Sequence, residues 1–89
     1  MRLAVQTERW TVNGRTVDLV EVLRRAVQHH GAVVRASKHQ WWARSDRDAW
    51  TWYPVVLEGL EVRCGCPAGQ SGKPCKHGAR VLVEAYGLR

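Results

Sequence analysis

The stretch CGCPAGQSGKPCKH, residues 64–77, decides how this chain folds. It places Cys64 and Cys66 two residues apart and, after a loop rich in glycine and proline, Cys75 and His77 two residues apart. Three cysteines are an odd number, which argues against a closed set of disulfides. Thiolates also suit iron–sulfur clusters, but three cysteines with one histidine fit zinc better. The stretch therefore predicts a site for one zinc ion.

The spacing of the ligands also predicts which elements carry them. Side chains of a strand alternate with a period of two, so Cys64 and Cys66 point to the same side of a strand end. Two steps along a helix turn by about 200°, so Cys75 and His77 cannot both lie inside a helix and share one ion. We expect Cys75 just before a helix and His77 in its first turn. Four ligands leave no open position on the metal, which predicts a structural zinc.

These residues carry a family resemblance. Cys64-Gly65-Cys66-Pro67, followed by Gly72-Lys73-Pro74-Cys75-Lys76-His77, resembles the C-x-C-x(n)-C-x-H signature of the SWIM zinc finger. The resemblance covers about residues 50–86 and implies a ββα unit, with a hairpin of Trp52–Glu58 and Leu60–Cys66 before the final helix. Gly69 and Gly78 stand where many members have an aromatic and an apolar residue.

The resemblance also bears on function. SWIM fingers occur in chromatin-remodelling helicases, Mutator-type transposases and recombination factors, and are thought to bind DNA or protein partners. Such a module is not itself catalytic. Thiolates committed to zinc are not available as nucleophiles, and the acidic residues of the chain form no evident close pair. We therefore expect no enzymatic activity.

The rest of the chain predicts an α+β fold with an antiparallel sheet. Arg9–Val17 alternates apolar and polar residues around Asn13-Gly14, which is typical of a hairpin with a type I′ turn. Apolar residues recur at helical spacing behind Asp18 and predict an amphipathic helix over residues 18–30. Four runs that favour strands then predict an antiparallel meander: Ala32–Ser37, His39–Ser45, Trp50–Glu58 and Leu60–Cys66.

Three further features complete the predicted fold. Pro54 cannot donate a ladder hydrogen bond, so its strand should lie at an edge or carry a bulge. Residues 65–74 are a loop by composition, and His77–Tyr86 predicts the closing helix. The 89 residues contain no linker or repeat, so we expect a single domain over 1–89. Residues 1–49 would supply the hairpin, helix and first strands, and 50–89 the zinc finger.

Charge and aromatic content indicate a binding function. The net charge is +6, and the chain has five tryptophans and no phenylalanine. We expect most tryptophans in the core, although adjacent Trp41 and Trp42 must point to opposite faces of a strand. A groove that combines exposed aromatic rings with cations is how proteins hold single-stranded nucleic acid, and the alternative is a merely solvated basic surface. The candidate nucleic-acid-binding residues are Trp42, Arg35, Lys38, Arg44, Arg63, Lys73, Lys76 and Arg80.

The sequence leaves the partner open between two classes. DNA is the expected partner, ahead of RNA, and the alternative is an adaptor that docks a tryptophan face onto a larger DNA-processing protein. No apolar run approaches the roughly 18 residues that cross a bilayer, and residues 1–8 lack the apolar stretch of a signal peptide. We therefore expect a cytoplasmic protein without membrane contact, of bacterial, archaeal or phage origin. A second metal site from His29, His30 and His39 is conceivable, but capping or solvated histidines are more common.

Overall fold

The computed structural model describes residues 9–88. Residues 1–8, in which no signal peptide was expected, lie outside the described residues. The elements are β1 (Trp10–Val12), β2 (Arg15–Val17), α1 (Leu19–Ala26), β3 (Val33–Arg35), β4 (Gln40–Arg44), β5 (Trp52–Glu58), β6 (Glu61–Cys64), α2 (Pro67–Gln70) and α3 (Lys76–Tyr86). The strands form one six-stranded sheet in the order β2-β1-β6-β5-β4-β3. No helix within the described residues is long and apolar enough to cross a membrane. The fold is a small α+β domain, which confirms the predicted class.

The first hairpin has the turn that Asn13-Gly14 predicts. The two residues have φ angles of +53° and +86°, which asparagine and glycine tolerate best, and β1 pairs antiparallel with β2. On its other side β1 pairs in parallel with β6, with Thr11 opposite Glu61. The sheet is therefore mixed, where the sequence predicted antiparallel pairs alone. The parallel pair joins segments about 50 residues apart, so no local pattern in either strand reveals it.

Helix α1 begins where the sequence predicts and ends earlier. Asp18 is the N-cap, and its Oδ1 accepts a hydrogen bond from the amide of Glu21 at 2.9 Å. The helix ends at Ala26, because the amides of Gln28 and His29 bond to carbonyls three residues back and tighten the last turn. The prediction of helix over residues 18–30 was therefore too long at its C-terminal end.

Strands β3 to β6 form the predicted antiparallel meander, but β5 is not at an edge. It lies between β4 and β6, with Pro54 opposite Trp42. The carbonyl of Pro54 accepts a hydrogen bond from the amide of Gly65 at 2.9 Å, so its nitrogen is turned to the same side, just beyond the end of β6. A Cβ on Gly65 would lie 3.0 Å from Cγ of Pro54. The proline is tolerated because β6 has ended and a glycine faces its ring.

One face of the sheet is buried under the helices. Its core side chains on β4, β5 and β6 are Trp41, Ala43, Val55, Leu57, Val62 and Cys64. Helix α3 packs on these strands, and α1 packs on α3. A Cβ on Gly78 would lie 3.2 Å from Cγ1 of Val12, so this glycine lets the first turn of α3 approach the sheet closely.

The five tryptophans lie in three places, with two in the core, two on the outer side of the sheet and one in a loop. Trp10 and Trp41 are buried, while Trp42 and Trp52 are 38% and 39% exposed and Trp50 is 91% exposed. The opposite directions of Trp41 and Trp42 confirm the alternation argument. The expectation that most tryptophans lie in the core was wrong, because the register places Trp52 beside Arg44 on the outer side and Trp50 lies in the loop before β5.

Candidate metal centre

Four predicted ligand side chains converge between the end of β6 and the start of α3. Cys64 is the last residue of β6, Cys66 and Cys75 are the N-caps of α2 and α3, and His77 lies in the first turn of α3. All four are buried, and their ligand atoms lie within 4.8 Å of one another. Bonds of about 2.0–2.3 Å to one tetrahedral zinc place ligand atoms roughly 3.5–3.8 Å apart, so small adjustments would bring this set onto one ion.

The segment between the two ligand pairs is not a loop throughout, as its composition suggested. Residues Pro67–Gln70 form the single turn of α2. Pro67 has the fixed φ that suits the first position of a helix, and the Cys66 side chain accepts a hydrogen bond from the amide of Gly69 at 3.4 Å. The turn orients Cys66 toward the other ligands.

The chemistry of the four side chains fits a cation. The three cysteines are free and buried. Hydrogen bonds from Cys64 and Cys75 lower the pKa of the Cys66 thiol, and hydrogen bonds with Cys66 and Cys75 raise the pKa of Cys64. Burial lowers the pKa of His77, but Cys66 and Cys75 outweigh it and raise this pKa to about 9. Nδ1 of His77 is buried without a hydrogen-bond partner in the described part of the chain. A bound zinc ion would stabilise all three thiols as thiolates and would be coordinated by the imidazole of His77. These residues therefore fit one zinc ion.

Amide groups surround the sulfur atoms. Zinc with three thiolates carries a net charge of −1, which N–H donors can offset. The amide of Gly69 donates to Sγ of Cys66 at 3.4 Å, and the amide of Gly78 donates to Sγ of Cys75 at 3.4 Å. Both amides belong to the first turns of helices, so each thiolate also acts as a helix cap.

Asn13 connects the N-terminal hairpin to both halves of the metal site. Its Oδ1 accepts a hydrogen bond from the amide of Cys64 at 2.7 Å, and its Nδ2 donates to the carbonyl of Lys73 at 2.7 Å and to Sγ of Cys75 at 3.3 Å. Sequence reasoning missed this role, because the Asn-Gly turn already accounted for the residue. Its partners are 51 to 62 positions away along the chain, and no local signal points to them.

Replacing the side chain of Asn13 should weaken zinc binding. Asn13→Gly keeps a residue that tolerates positive φ and removes the three hydrogen bonds. Loss of an outer-shell partner typically lowers metal affinity about 10- to 100-fold, and we expect a loss of this size in a competition titration with a coloured chelator. Asn13→Asp should bind zinc more weakly still, because a carboxylate beside the thiolates replaces an N–H donor.

The control for this prediction lies in the same hairpin. Thr16 is exposed on β2, and Thr16→Ala should leave the zinc affinity unchanged. An Asn13→Gly protein whose zinc affinity stays within a factor of two of the parent would show that Asn13 serves the turn alone.

Two aromatic side chains orient the ligand His77. The ring of His29 contacts it edge-on with centroids 5.1 Å apart, and the ring of Tyr53 lies at 5.0 Å. Nε2 of His29 is 2.9 Å from the carbonyl oxygen of Arg44, which fixes that ring in turn. The cysteine and histidine set is the one candidate metal cluster found within residues 9–88, and His29, His30 and His39 are not part of it.

The candidate nucleic-acid-binding residues occupy several parts of the surface. Trp42, Arg44 and Arg63 lie on the outer side of β4, β5 and β6. Arg35 and Lys38 lie around the turn between β3 and β4, and Lys73 lies in the loop before α3. Lys76 and Arg80 extend from α3. Three of the eight residues therefore share one face.

Lys76 and Arg80 already have acidic partners. Nζ of Lys76 is 2.7 Å from Oδ2 of Asp46, and Nε of Arg80 donates to Glu84 at 2.9 Å. Burial opposes ionisation of Asp46, but hydrogen bonds from Lys76 and from two backbone amides outweigh it and hold its pKa at about 2. Asp46 is therefore ionised at neutral pH and ties the start of α3 to the loop between β4 and β5.

This buried set of three cysteines and one histidine defines a zinc-binding module. Residues 53–86 match the family model of the SWIM zinc finger, and the matched segment contains all four ligands. The resemblance predicted from the signature is therefore confirmed for this segment of the chain. No curated protein and no solved structure matches the chain. Residues 1–52, which include Asn13 and His29, lie outside the matched segment.

Proposed function

We propose that this chain is a non-enzymatic zinc module that binds nucleic acid, with DNA as the partner. The observation that supports the proposal is the outer face of the sheet, which combines exposed aromatic and cationic side chains. We define the outer face by the side chains of β3 to β6 that point away from the helices, which are Val34, Gln40, Trp42, Arg44, Trp52, Pro54, Val56, Glu58, Glu61 and Arg63. Cations bind phosphates and aromatic rings stack on bases, so this combination suits a nucleic-acid strand.

The zinc in this proposal is structural. Its four protein ligands leave no position for water or substrate, so the ion has no catalytic task. Cys64 ends β6, which pairs directly with β5, and His77 begins the helix that covers the buried face. Zinc thus fixes the strand arrangement that presents the outer face.

The distribution of charge favours an anionic partner. The chain has a net charge of +6, and no carboxylate in the described residues lies within ion-pair distance of Arg44 or of the exposed Arg47. Arg44 lies opposite Trp52 in the sheet, and Arg47 precedes the exposed Trp50 by three residues. The preference for DNA over RNA comes from the DNA-processing proteins in which SWIM fingers occur.

Fluorescence polarisation with labelled oligonucleotides at about 50 and 200 mM salt tests the proposal. We expect binding that weakens with salt, since each phosphate contact adds about 0.7–0.9 to the slope of log affinity against log salt. Reversing two charges in Arg44→Glu with Arg47→Glu should reduce that slope by about 1.5. Arg15→Glu is the control, because Arg15 lies in the opposite edge strand β2. Failure of the zinc-loaded protein to bind DNA or RNA at the lower salt would refute the proposal.

A protein-binding adaptor is the second candidate, and the apolar part of the outer face favours it. Val34 and Val56 are 48% and 40% exposed and flank the tryptophans. Exposed apolar clusters of this kind often mark protein interfaces. If the folded, zinc-loaded protein bound no nucleic acid in this titration, the adaptor would become the leading candidate.

A further inference from the structure

We infer that the outer face binds single-stranded DNA by base stacking, with Trp42, Trp52 and Trp50 as the stacking rings. This inference rests on the proposed function and specifies the form of nucleic acid that is bound. It is carried by the strand register, the loop that holds Trp50, and the placement of charges around the three rings.

The register places two rings side by side on the outer face. Trp42 of β4 lies opposite Pro54 of β5, and Trp52 lies opposite Arg44. Trp42 and Trp52 are therefore diagonal neighbours, and such positions are about 7–8 Å apart. Both tryptophan residues are more than a third exposed. A single extended strand can place successive bases on rings spaced in this way.

Trp50 lies in the loop just before β5, two residues from Trp52. Its side chain is 91% exposed, although its backbone is held in place. The amide of Trp50 donates to Oδ1 of Asp48 at 2.8 Å, and the hydroxyl of Thr51 donates to Oδ2 of the same carboxylate at 2.8 Å. The amide of Ser45 donates to the carbonyl of Thr51 at 2.8 Å and closes the loop. An ordered loop that buries almost none of its largest apolar side chain is well suited to offer that side chain to a ligand.

The charges on the outer face change sign from one end to the other. The guanidinium of Arg44 lies 5.9 Å from the ring centroid of Trp52, so a cation is held beside a stacking ring. Arg47 is exposed in the loop that carries Trp50. Glu58 and Glu61 lie opposite each other in the register of β5 and β6, at the other end of the face. Oε2 of Glu61 forms a salt bridge with Nη2 of Arg63 at 2.9 Å. The carboxylate of Asp48 also lies at the tryptophan end, where it accepts hydrogen bonds from the amide of Trp50 and the hydroxyl of Thr51. Phosphates are therefore favoured beside the side chains of Arg44 and Arg47.

The same features disfavour a duplex as the ligand. In a duplex the bases stack on one another, so their faces are not available to the tryptophans. A helix that reads the major groove would need free cations. On α3, however, Lys76 and Arg80 are paired with Asp46 and Glu84. Duplex DNA would gain phosphate contacts alone, whereas a single strand would gain phosphate contacts and stacking.

Three labelled probes separate stacking from charge in the zinc-loaded full chain. They are an oligothymidine of about 12 nucleotides, a duplex of the same length, and a strand of abasic sites that keeps the phosphates and lacks the bases. We expect the oligothymidine to bind at least about tenfold more tightly than either of the others. An oligouridine of the same length reports the preference between DNA and RNA.

Single substitutions then assign the stacking rings. Trp42→Ala and Trp52→Ala should each weaken oligothymidine binding by about 5- to 100-fold, while Trp42→Phe should retain most of the affinity because it keeps an aromatic face. Val27, the C-cap residue of α1, is 73% exposed and lies away from the outer face, so Val27→Ala is the matched control for loss of an exposed apolar side chain. Zinc content and the thermal midpoint verify that each variant is folded.

Every outcome of these titrations decides something. Duplex binding as tight as oligothymidine binding, or unchanged affinity in both alanine variants, would overturn the inference while leaving nucleic-acid binding intact. Equal binding of the abasic strand would do the same, because it would assign all the affinity to phosphates. Absence of binding to every probe would refute the proposed function itself.

Discussion

Removal of zinc is expected to unfold the whole sheet, and not the zinc-binding segment alone. Apparent zinc binding free energies of about 10–16 kcal/mol match or exceed the roughly 5–15 kcal/mol by which small domains are stable. Cys64 ends β6, and β6 lies in the middle of the sheet between β1 and β5. His77 begins α3, which covers the buried face of β4, β5 and β6. Without the metal, the three thiols and the imidazole would remain buried without a common partner.

Chelation followed by circular dichroism and amide NMR measures this effect. We expect the amide dispersion of residues 60–86 to collapse first and that of β1 and β5 to follow, with recovery when zinc is returned. His77→Ala should reproduce the loss, whereas His30→Ala, at an exposed histidine outside the site, should not. Retained amide dispersion in residues 60–86 after verified metal removal would contradict a structural role for zinc.

The ligands were predictable because coordination chemistry constrains them locally. Four side chains that share one ion must converge, and the spacing of two residues admits few backbone arrangements, so Cys64 at a strand end and Cys75 before a helix followed from geometry. The turn at Asn13-Gly14 was predictable for the same reason, since positive φ angles select those residue types. In each case the determining interaction lies within a few positions along the chain.

The features that escaped prediction depend on distant contacts. The parallel pairing of β1 with β6 and the hydrogen bonds of Asn13 both join the N-terminal hairpin to the zinc segment. Neither strand carries a pattern that distinguishes a parallel neighbour from an antiparallel one. The exposure of Trp50 was equally unpredictable from the sequence. Its large apolar side chain suggested a core residue, but the residue lies in a loop, where it is exposed.

The second large effect is expected from Gly69→Ala. Local helix propensity predicts that this substitution stabilises the protein, whereas tertiary contacts predict that it destabilises it. Gly69 lies within α2, and alanine favours a helix over glycine by about 1 kcal/mol. A Cβ at this position would lie 2.0 Å from the carbonyl oxygen of Cys64 and 2.9 Å from its carbonyl carbon. Backbone atoms at the end of β6 cannot yield as a flexible side chain does. Gly69→Ala should therefore push α2 away from β6 and separate Cys66 from Cys64.

We expect Gly69→Ala to lower the free energy of unfolding by about 3 kcal/mol and to weaken zinc binding by up to about 100-fold. Chemical denaturation and a chelator competition measure the two losses. Gly59→Ala is the matched control, because a Cβ there meets nothing within 4 Å and only its φ of +59° opposes the substitution, at about 1–2 kcal/mol. If both variants lost the same stability and both kept the parent zinc affinity, the close approach of α2 to Cys64 would not be what holds the ligands together. If Gly69→Ala alone lost zinc, that approach would account for the glycine at this position.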